Sequence, residues 1–595
     1  MLNIKNLVSP FYVWKRAFEK PYTNKKPLTT RAGADRYRGF HFNDIDKCIG
    51  CGSCEEICQN MSIDMVPVDG IKTTSGDSGL RPQIDYGRCC WCALCVDICP
   101  TGSLTMTNEY IWLEEGGDDV ADRYVFTPGV DKKSWDQNEL GYKRPENYAI
   151  LEYNRIPMRM MEPEERKTSF IEMVHGYSKE EAQREADRCV ECGICVATCP
   201  AHMDIPEYIK AVREDDLDEA VRLLYKTNPF STSCGRICTH LCEDVCALEH
   251  QGEAISIRWL KRYIMDNITS EEIKTALADE FKPNGKKIAI VGAGPGGLSA
   301  AYYLIKMGYA ITIFEANKKG GGMLRYGIPE YRLPYDELDK DIDYIVSLGV
   351  EIKYSTRVGE DILFEKLYDE YDSVFFSNGL SQPYSMRVEG EELPGVISGL
   401  QLLDDVTNGK NPEIGQKVAV VGGGNVAMDA ARTCLRLGSD VTVVYRRRVE
   451  DMPADLEEVT EAAEENVEFI TKAIPLKIEA VDGKLNFTWN NAKLEPQPDG
   501  GRPKPVVDEG NNTTRSFDTL ISAIGQAGDF SFLPVEIEQK LKFKWGKVQT
   551  ADDMKTGDDK IFAGGDVVNS TADAISAIAD GHIAALGIDR ALRSE

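Results

Sequence analysis

The second half of the chain repeats one hydrophobic pattern twice: a short apolar run, a glycine-rich turn and a longer segment with helical period. The run Lys-Lys-Ile-Ala-Ile-Val at 286–291 predicts a buried parallel strand, and residues 298–307 predict the helix after the turn. The run Val-Ala-Val-Val at 418–421 begins the second copy. Strands that alternate with helices in this way predict Rossmann-like α/β domains.

The first turn has the sequence Gly-Ala-Gly-Pro-Gly-Gly, and the next predicted strand, 311–314, ends in Glu315. A lone G-x-G-x-x-G motif is a weak signal. A strand before it, a helix after it and an acid at the end of the next strand together indicate a dinucleotide site. The helix N-terminus would receive the pyrophosphate, and Glu315 would accept from a ribose hydroxyl. The turn residues assigned to this site are Ala293, Gly294, Pro295 and Gly297.

The second turn leads to a strand, 441–444, that ends in Tyr445-Arg446-Arg447-Arg448. Arg446 and Arg447 favour the 2'-phosphate of NADP, because arginine binds phosphate in a bidentate way where a carboxylate would repel it. A solvated strand end is the alternative interpretation, and NAD stays open as the nucleotide. The turn residues assigned here are Gly422, Gly424, Asn425, Val426 and Ala427.

Composition and charge disfavour several classes of function. The 595 residues include 97 acidic and 69 basic side chains, for a formal charge of -28, which disfavours binding to nucleic acid. The length predicts several domains. No run reaches the roughly 18 apolar residues of a membrane span, and the N-terminus lacks the features of a signal peptide. Eighteen cysteines without an export signal predict a reducing, cytoplasmic location with thiolates available for metal.

The first cysteine-rich region contains the spacing C-x2-C-x2-C-x3-C twice. This spacing is typical of two-cluster ferredoxins, in which the fourth cysteine of each run reaches the other cluster. Zinc is the alternative, but structural zinc uses pairs of ligands at longer separations. Cys90 is surplus and is predicted to be a buried thiol. The predicted [4Fe-4S] ligands are Cys48, Cys51, Cys54 and Cys99 for one cluster, and Cys89, Cys92, Cys95 and Cys58 for the other.

A second region holds eight more cysteines between 189 and 246. Its first four repeat the ferredoxin spacing, and its last four recur at every fourth residue, so they would share one face of a continuous helix. Eight thiolates suit two more [4Fe-4S] clusters, which makes four in all. The predicted ligands are Cys189, Cys192, Cys195, Cys199, Cys234, Cys238, Cys242 and Cys246.

Residues 1–38 are basic within an acidic protein. Ser9-Pro10 predicts a helix start, after which Phe11, Trp14 and Phe18 share one face. This aromatic stripe could dock on a partner subunit or lie on a membrane surface, or it could pack on the chain's own core.

Two family resemblances sharpen these expectations. Residues 36–100 resemble the two-cluster ferredoxin subunit of respiratory complex I, including the segment Arg-Tyr-Arg-Gly-Phe-His at 36–41, although Gln59 replaces a usual proline. From about residue 165 to the end, the chain resembles the glutamate synthase small subunit, dihydropyrimidine dehydrogenase and the large subunit of bifurcating ferredoxin:NADP oxidoreductases.

The second resemblance implies ligand sets for the junction clusters. Cys189, Cys192, Cys195 and Cys246 would hold one cluster, and three corners of the other would be Cys199, Cys238 and Cys242. Some relatives supply the fourth corner from a Gln or Glu near position 261. Lys261 stands there and cannot ligate while protonated, so Cys234 is the expected ligand.

The same resemblance implies that FAD occupies the first turn and NAD(P)H the second. The segment at 321–334 is close to a glutamate synthase small-subunit signature, and Ile-Phe-Ala-Gly-Gly-Asp at 561–566 resembles the strand that contacts the FAD ribityl chain. Residues 518–525 are expected to return to the first domain as a strand. The further FAD-site residues implied are Gly322, Met323, Arg332, Val358, Gly525, Gly565, Asp566 and Ala574.

The expected fold class is multidomain α/β, with a two-cluster ferredoxin domain, a helical iron–sulfur domain and two Rossmann-like domains. The NAD(P) domain interrupts the FAD domain. The predicted boundaries are 1–40 for a basic docking leader, 41–110 for the ferredoxin domain, 111–165 for a connector, 166–280 for the helical iron–sulfur domain, 281–410 and 511–595 for the FAD domain, and 411–510 for the NAD(P) domain.

The predicted function is an NAD(P)H-dependent iron–sulfur flavoprotein subunit that passes electrons between NAD(P)H, FAD, four clusters and a partner. Its partner would be a hydrogenase, formate dehydrogenase or transhydrogenase subunit, or a soluble ferredoxin, within a complex that could bifurcate electrons. The chain has no redox dithiol beside the predicted flavin, and Cys434 is expected in the core. The alternatives are a glutamate synthase small subunit with a glutamine-hydrolysing partner, and a non-catalytic electron-wiring subunit.

Overall fold

A computed structural model of the chain contains two compact units. The first comprises Met1–Asn154 with Ala247–Glu253, and the second comprises Arg155–Cys246 with Ala254–Glu595. The structure describes residues 14–20, 36–71, 76–110, 124–137, 139–143, 150–278, 281–498 and 500–593.

The first unit is built from short strands and single-turn helices. The strand His41–Asn43 pairs antiparallel with Leu104–Met106. A second sheet has its strands in the order Ile63–Pro67, Leu80–Asp85 and Val125–Phe126. Two short helices of the first unit, Ser53–Glu56 and Leu94–Asp97, each begin inside one of the two cysteine runs.

Residues 14–17 form one helical turn near the start of the chain. Trp14 is 67% exposed and Phe18 87% exposed, so neither packs on the chain's own core. Phe11, the third member of the predicted stripe, lies outside the described residues.

The second unit begins with a helical region that carries the eight junction cysteines. Pro163 starts its first helix, and Ser178 forms a capping box with Glu181 at the start of the next one. The last four cysteines do not share one helix, because the helix that holds Cys234 ends at Ile237 and His240 adopts a left-handed conformation, φ 40°. The helices are Pro163–Arg166, Lys179–Asp187, Ile194–Thr198, Ile205–Arg213, Leu217–Thr227, Ser231–Ile237, Leu241–Asp244, Ile257–Asp266 and Ser270–Ala276.

The first Rossmann-like sheet is parallel and has five strands. Their order is Ile561–Ala563, Ser373–Phe376, Lys287–Val291, Ala310–Phe314 and Glu351–Lys353. The helices of this region are Pro295–Lys306, Met323–Tyr326, Tyr335–Ser347, Phe364–Glu370, Val535–Glu538 and Ala574–Arg593.

The second parallel sheet also has five strands, in the order Val396–Ser398, Thr519–Ser522, Lys417–Val421, Asp440–Val444 and Glu468–Ile470. Its helices are Gly399–Thr407, Asn425–Arg436 and Leu456–Glu464. A long antiparallel sheet of Ala473–Val481, Lys484–Glu495 and Lys504–Phe517 extends the same region.

One sequence-based expectation about topology is wrong. Residues 518–525 were expected to return to the first sheet, but Thr519–Ser522 pairs in parallel with Lys417–Val421 in the second. Its apolar residues Leu520 and Ile521 are fully buried there. The return to the first region follows through the short pair Gln382–Pro383 and Gln526–Ala527.

The expected α/β class is confirmed by this architecture. Cys434 has no exposed surface and belongs to the core of the second sheet, also as expected. No helix in the described parts of the chain is both long and apolar enough to cross a membrane.

Candidate iron–sulfur and dinucleotide sites

Four cysteines of the first unit surround one cavity, which Cys48, Cys51, Cys54 and Cys99 line together. These are the four thiols that the sequence groups into one cluster, although Cys99 lies in the other cysteine run. Asn43 also lines the cavity, and among the described residues neither polar atom of its buried side chain has a hydrogen-bond partner. A buried amide without a partner is costly, so the wall is suited to a group that accepts a hydrogen bond, such as a cluster sulfur.

The remaining four cysteines of the first unit lie near one another. Burial raises the pKa of Cys95, and the nearby thiols of Cys89, Cys92 and Cys58 raise it further. This proximity matches the predicted second set. Cys90 is exposed, which contradicts the expectation of a buried thiol.

Polar groups contact the thiols of both sets. The Ser62 hydroxyl lies 3.0 Å from Cys58 Sγ, and the Trp91 amide donates to Cys89 Sγ at 3.4 Å. On the other set, the Ser103 hydroxyl lies 3.4 Å from Cys99 Sγ. Hydrogen bonds to sulfur are one means by which proteins set cluster potentials.

In the junction region, Cys189, Cys192, Cys195 and Cys246 form another group. Burial raises the pKa of Cys195, and the thiols of the other three members add to the effect. The Ile255 amide donates to Cys246 Sγ at 3.4 Å. The grouping agrees with the set that the family resemblance implies.

The last cavity is lined by Cys199, Cys238 and Cys242. The fully buried Tyr208 side chain also lines it, and in the part of the chain that the structure describes its hydroxyl has no hydrogen-bond partner. This unpaired donor makes the cavity suited to a sulfur-rich group. Ile575, in the first turn of the helix Ala574–Arg593, lies on the same wall.

Cys234 and Lys261 are the two residues that the sequence places near the fourth corner of this cavity. Lys261 lines the cavity, whereas Cys234 is fully buried and is not among the lining residues. The Lys261 ammonium lies 3.2 Å from Met203 Sδ. Burial opposes its charge, but the surrounding cysteine thiols outweigh burial and raise its pKa.

Among the described residues, no three His, Cys, Asp or Glu side chains converge closely enough to hold a single metal ion.

Two glycines at the first dinucleotide turn leave no room for a side chain. A Cβ atom on Gly297 would lie 2.1 Å from the Gly292 carbonyl oxygen, and one on Gly322 would lie 2.9 Å from Gly294 Cα. Beyond Gly294 itself the space is nearly open. The turn therefore brings the start of the helix Pro295–Lys306 up to a free volume in which a pyrophosphate could lie.

Glu315 is held at the edge of this turn. Its carboxylate accepts from the Ala293 and Asn317 amides, both at 2.8 Å. Burial raises the pKa of Glu315, and these amides oppose the rise. The carboxylate is thus fixed beside the turn, as a ribose-binding acid requires.

Asp566 follows the strand Ile561–Ala563 and lies close to Lys547. Burial raises the pKa of Asp566 to about 6, against the opposing charge of Lys547. Gly565, just before it, has φ 78° and donates its amide to Asp580 at 2.9 Å. Ala574 begins the long C-terminal helix.

The other predicted flavin residues have varied surroundings. Met323 is 36% exposed at the start of a short helix, and Val358 is buried against the first sheet. Gly525 has φ 112° and faces the Tyr384 ring. Arg332 forms ion pairs with Asp429 at 2.8 Å and Glu458 at 2.6 Å, both in the second Rossmann-like region.

The second turn begins at Gly422, where a Cβ would lie 2.2 Å from the Ala523 carbonyl oxygen. Gly424 faces open space. Asn425 accepts from the Asp455 amide at 2.8 Å, and Val426 and Ala427 continue into the helix. This turn also brings a helix start to a free volume.

Three arginines lie near the end of the strand Asp440–Val444. Partial loss of solvent lowers the pKa of the exposed Arg446, and the nearby charges of Arg447 and Arg502 lower it further. Arg447 donates to the Pro503 carbonyl at 2.7 Å. Within the described chain, no carboxylate pairs with Arg446, so its charge is available to an anion. Arg448 differs, because Asp451 neutralises it at 2.8 Å.

Several side chains at these sites had no local sequence signal. Asn43, Tyr208 and His41 are single polar residues in apolar surroundings, which sequence alone does not distinguish from core residues. Arg258 was also missed; it donates to the Cys238 carbonyl at 3.3 Å and to Glu457 at 2.7 Å. It thus links the cysteine loop to the helix Leu456–Glu464.

Comparison with known proteins agrees with this geometry. The family model for the 4Fe-4S dicluster domain matches residues 47–103, and the model for dihydropyrimidine dehydrogenase domain II, 4Fe-4S cluster, matches 166–273. The model for pyridine nucleotide-disulphide oxidoreductase matches 286–581. The glutamate synthase [NADPH] small chain of Escherichia coli (strain K12) is 33% identical over 470 residues, which is 74% of this chain and 98% of that protein.

The chain belongs to the iron–sulfur pyridine nucleotide oxidoreductase family that includes the glutamate synthase small chains. The resemblance inferred from its motifs is confirmed.

Two further relatives extend the comparison. The putative oxidoreductase AegA of Escherichia coli (strain K12) is 31% identical over 580 residues, which is 91% of this chain and 85% of that protein. The NADP(+)-dependent formate dehydrogenase subunit beta of Moorella thermoacetica is 38% identical over 425 residues. That match covers 67% of this chain and only 60% of the relative.

Proposed function

We propose that the chain is an NADPH-oxidising or NADP-reducing subunit that exchanges electrons with a partner through FAD and four [4Fe-4S] clusters. The observation that carries the proposal is the cavity of Cys199, Cys238 and Cys242, whose wall includes Ile575. Ile575 belongs to the first turn of the helix that would face the flavin, so the cysteine site and the flavin site share one structural element.

The residues of the first turn suit FAD. The start of the helix Pro295–Lys306 would bind the pyrophosphate, Glu315 would accept from the ribose, and Asp566 would accept from the ribityl chain. In the described chain, no protein hydrogen bond is made to the Asp566 carboxylate. FAD, when bound, accepts a hydride and returns single electrons.

The arginines beyond the second strand favour NADP over NAD. Arg446 and Arg447, with Arg502 nearby, concentrate positive charge without a neutralising acid on Arg446. A 2'-phosphate carries the negative charge that such a group binds. The two named relatives with a stated nucleotide use NADP or NADPH, which supports the same choice for this chain.

The cysteine groups support four cluster sites. Three sets of four thiols are the ones that sequence spacing and resemblance group together: Cys48, Cys51, Cys54 and Cys99; Cys58, Cys89, Cys92 and Cys95; Cys189, Cys192, Cys195 and Cys246. The fourth set supplies three thiols, Cys199, Cys238 and Cys242. Cys234, whose thiol lies near Cys238 and Lys261, remains the proposed fourth ligand, because the Lys261 ammonium has no lone pair for iron.

The partner is proposed to be another redox subunit. One relative is named as a subunit of a formate dehydrogenase and another as a chain of glutamate synthase. The exposed Trp14 and Phe18 are candidates for contact with such a subunit. A hydrogenase, formate dehydrogenase or transhydrogenase subunit or a soluble ferredoxin fits this role.

The test uses the full chain purified without oxygen. Four clusters correspond to about sixteen iron atoms per chain, and NADPH should bleach the flavin spectrum and support reduction of a viologen dye. About eight iron atoms would remove one cysteine region from the proposal. Absence of flavin bleaching by either nucleotide would overturn it in favour of a non-catalytic wiring subunit.

The glutamate synthase alternative is favoured by the match over 98% of that small chain. It predicts copurification with a glutamine-hydrolysing subunit, whereas the proposed function predicts a redox subunit instead. Proteins that copurify with the tagged full chain, identified by mass spectrometry, decide between them.

A further inference from the structure

His41 lies between a cysteine and a tyrosine in the interior of the first unit. Its side chain has no exposed surface. The Nε2 atom is 3.3 Å from Cys95 Sγ, and the Nδ1 atom is 3.2 Å from the Tyr86 hydroxyl. The imidazole therefore bridges a predicted cluster ligand and a phenol.

The hydrogen bonds of Tyr86 determine which nitrogen carries the proton. The Tyr86 hydroxyl oxygen accepts from the backbone amide of His41 at 3.0 Å. In the described chain, the only acceptor within reach of the Tyr86 proton is His41 Nδ1. If Nδ1 accepts that proton, the neutral ring carries its own hydrogen on Nε2, which points at Cys95.

The surrounding structure holds the ring in this place. The Trp135 indole donates to the His41 carbonyl at 3.3 Å, and the strand His41–Asn43 is paired with Leu104–Met106. The Trp91 and Tyr86 rings pack beside the imidazole. The ring is thus oriented by its backbone as well as by its side-chain contacts.

We propose that His41 donates its Nε2 hydrogen to the Cys95 thiolate and thereby makes the cluster held by Cys58, Cys89, Cys92 and Cys95 easier to reduce. The proposal rests on the cluster assignment made above. Reduction adds one electron to the cluster and increases the negative charge on its thiolates. A fixed N–H donor stabilises that added charge, and no bond breaks and no proton moves.

The second cluster site of the same unit provides an internal comparison. Its thiols Cys51 and Cys99 contact hydroxyls, of Ser53 at 3.4 Å and of Ser103 at 3.4 Å. In the described residues no imidazole contacts that set. Removal of His41 should therefore change one potential of the pair and leave the other in place, which changes the difference between the two potentials.

The experiment measures the midpoint potentials of the clusters in the full chain by redox titration followed by electron paramagnetic resonance. We expect His41→Phe to make one cluster harder to reduce while the other three keep their potentials. Tyr86→Phe should shift the same cluster in the same direction by less, because the ring is no longer held in one tautomer. His41→Gln keeps an N–H donor and should recover part of the shift.

The outcomes separate this inference from the proposed function. A wild-type chain without iron at this site would end the proposed cluster assignment. A wild-type cluster whose potential is unchanged in a fully loaded His41→Phe protein would overturn the role of His41. If His41→Phe loses iron, Tyr86→Phe decides: a more negative potential supports the hydrogen bond, and an unchanged one overturns it.

Discussion

Both dinucleotide turns follow a buried strand of five residues and lead into a helix of twelve, Pro295–Lys306 in one and Asn425–Arg436 in the other. The charge at the end of the next strand differs. In the first Rossmann-like region it is Glu315, which is 6% exposed and bound by two amides. In the second Rossmann-like region it is the exposed Arg446, with Arg447 and Arg502 nearby.

This contrast separates two tasks within one backbone. The glycines and the helix start suit the pyrophosphate, which both nucleotides share. The residue after the second strand faces the part in which the two nucleotides differ. This part is a ribose hydroxyl in FAD and a 2'-phosphate in NADP. The turns can therefore be altered independently.

The largest effect should come from the third glycine of the first turn. A Cβ on Gly297 would lie 2.1 Å from the Gly292 carbonyl, and a backbone atom cannot move aside as a flexible side chain can. Gly297→Ala should therefore abolish FAD binding, measured as flavin released and counted per chain. The second turn has Ala427 at the matching place, so Ala427→Gly is the control.

Ala427→Gly should keep FAD and cost only about 1 kcal/mol, the usual difference between alanine and glycine in a helix. Full flavin content in Gly297→Ala would show that the two turns tolerate the same residue, and the comparison of their backbones would fail.

The next effect concerns nucleotide choice. Arg446→Glu removes a donor to the 2'-phosphate and places a like charge beside it. A hydrogen bond to a charged group contributes about 1.5–3 kcal/mol, so kcat/KM for NADPH should fall roughly ten- to hundredfold while that for NADH does not. Steady-state reduction of a dye with each nucleotide gives the ratio.

Arg448→Ala is the matched control, because Arg448 is already paired with Asp451 and Glu450. Its nucleotide preference should equal that of the wild type. An equal loss of preference in both variants would mean that general surface charge, rather than Arg446, attracts the phosphate.

The turns and the cysteine groups could be predicted from sequence because local backbone geometry dictates them. Gly422 needs φ 151°, and a cluster needs thiols at fixed short spacings. Such requirements appear as motifs. The sheet to which the strand Thr519–Ser522 belongs could not be predicted in this way. Its sequence suits either parallel sheet, and only its pairing with a distant strand determines which sheet it joins.

Single polar residues were harder to predict for a related reason. Arg332 has its partners Asp429 and Glu458 about a hundred residues away, so no local pattern shows that they neutralise it. Tyr208 and Lys261 come to the cysteine cavity from two different helices. Their roles depend on packing, which spacing rules do not encode.

The smallest effect should come from Asp566, the other acid predicted at the flavin site. Burial raises its pKa to about 6 in the folded protein, against about 3.9 for an unfolded aspartate. The folded state then holds the proton more tightly, so this residue lowers stability as pH rises from about 4 to about 6, and the loss stays constant above that. Asp566→Asn should therefore stabilise the flavin-free protein at pH 7.5 by about 1–2 kcal/mol, and less at pH 5.

Thermal unfolding of the flavin-free protein at both pH values measures this difference. Asp559→Asn, at a carboxylate whose side chain is fully exposed, is the control and should not reproduce it. With FAD bound, ribityl hydroxyls that donate to Asp566 would stabilise its charged form, so the advantage of Asn at pH 7.5 should shrink or reverse. Equal gains with and without FAD would mean that Asp566 does not contact the flavin. The comparison between the two dinucleotide sites would then rest on Glu315 and Arg446 alone.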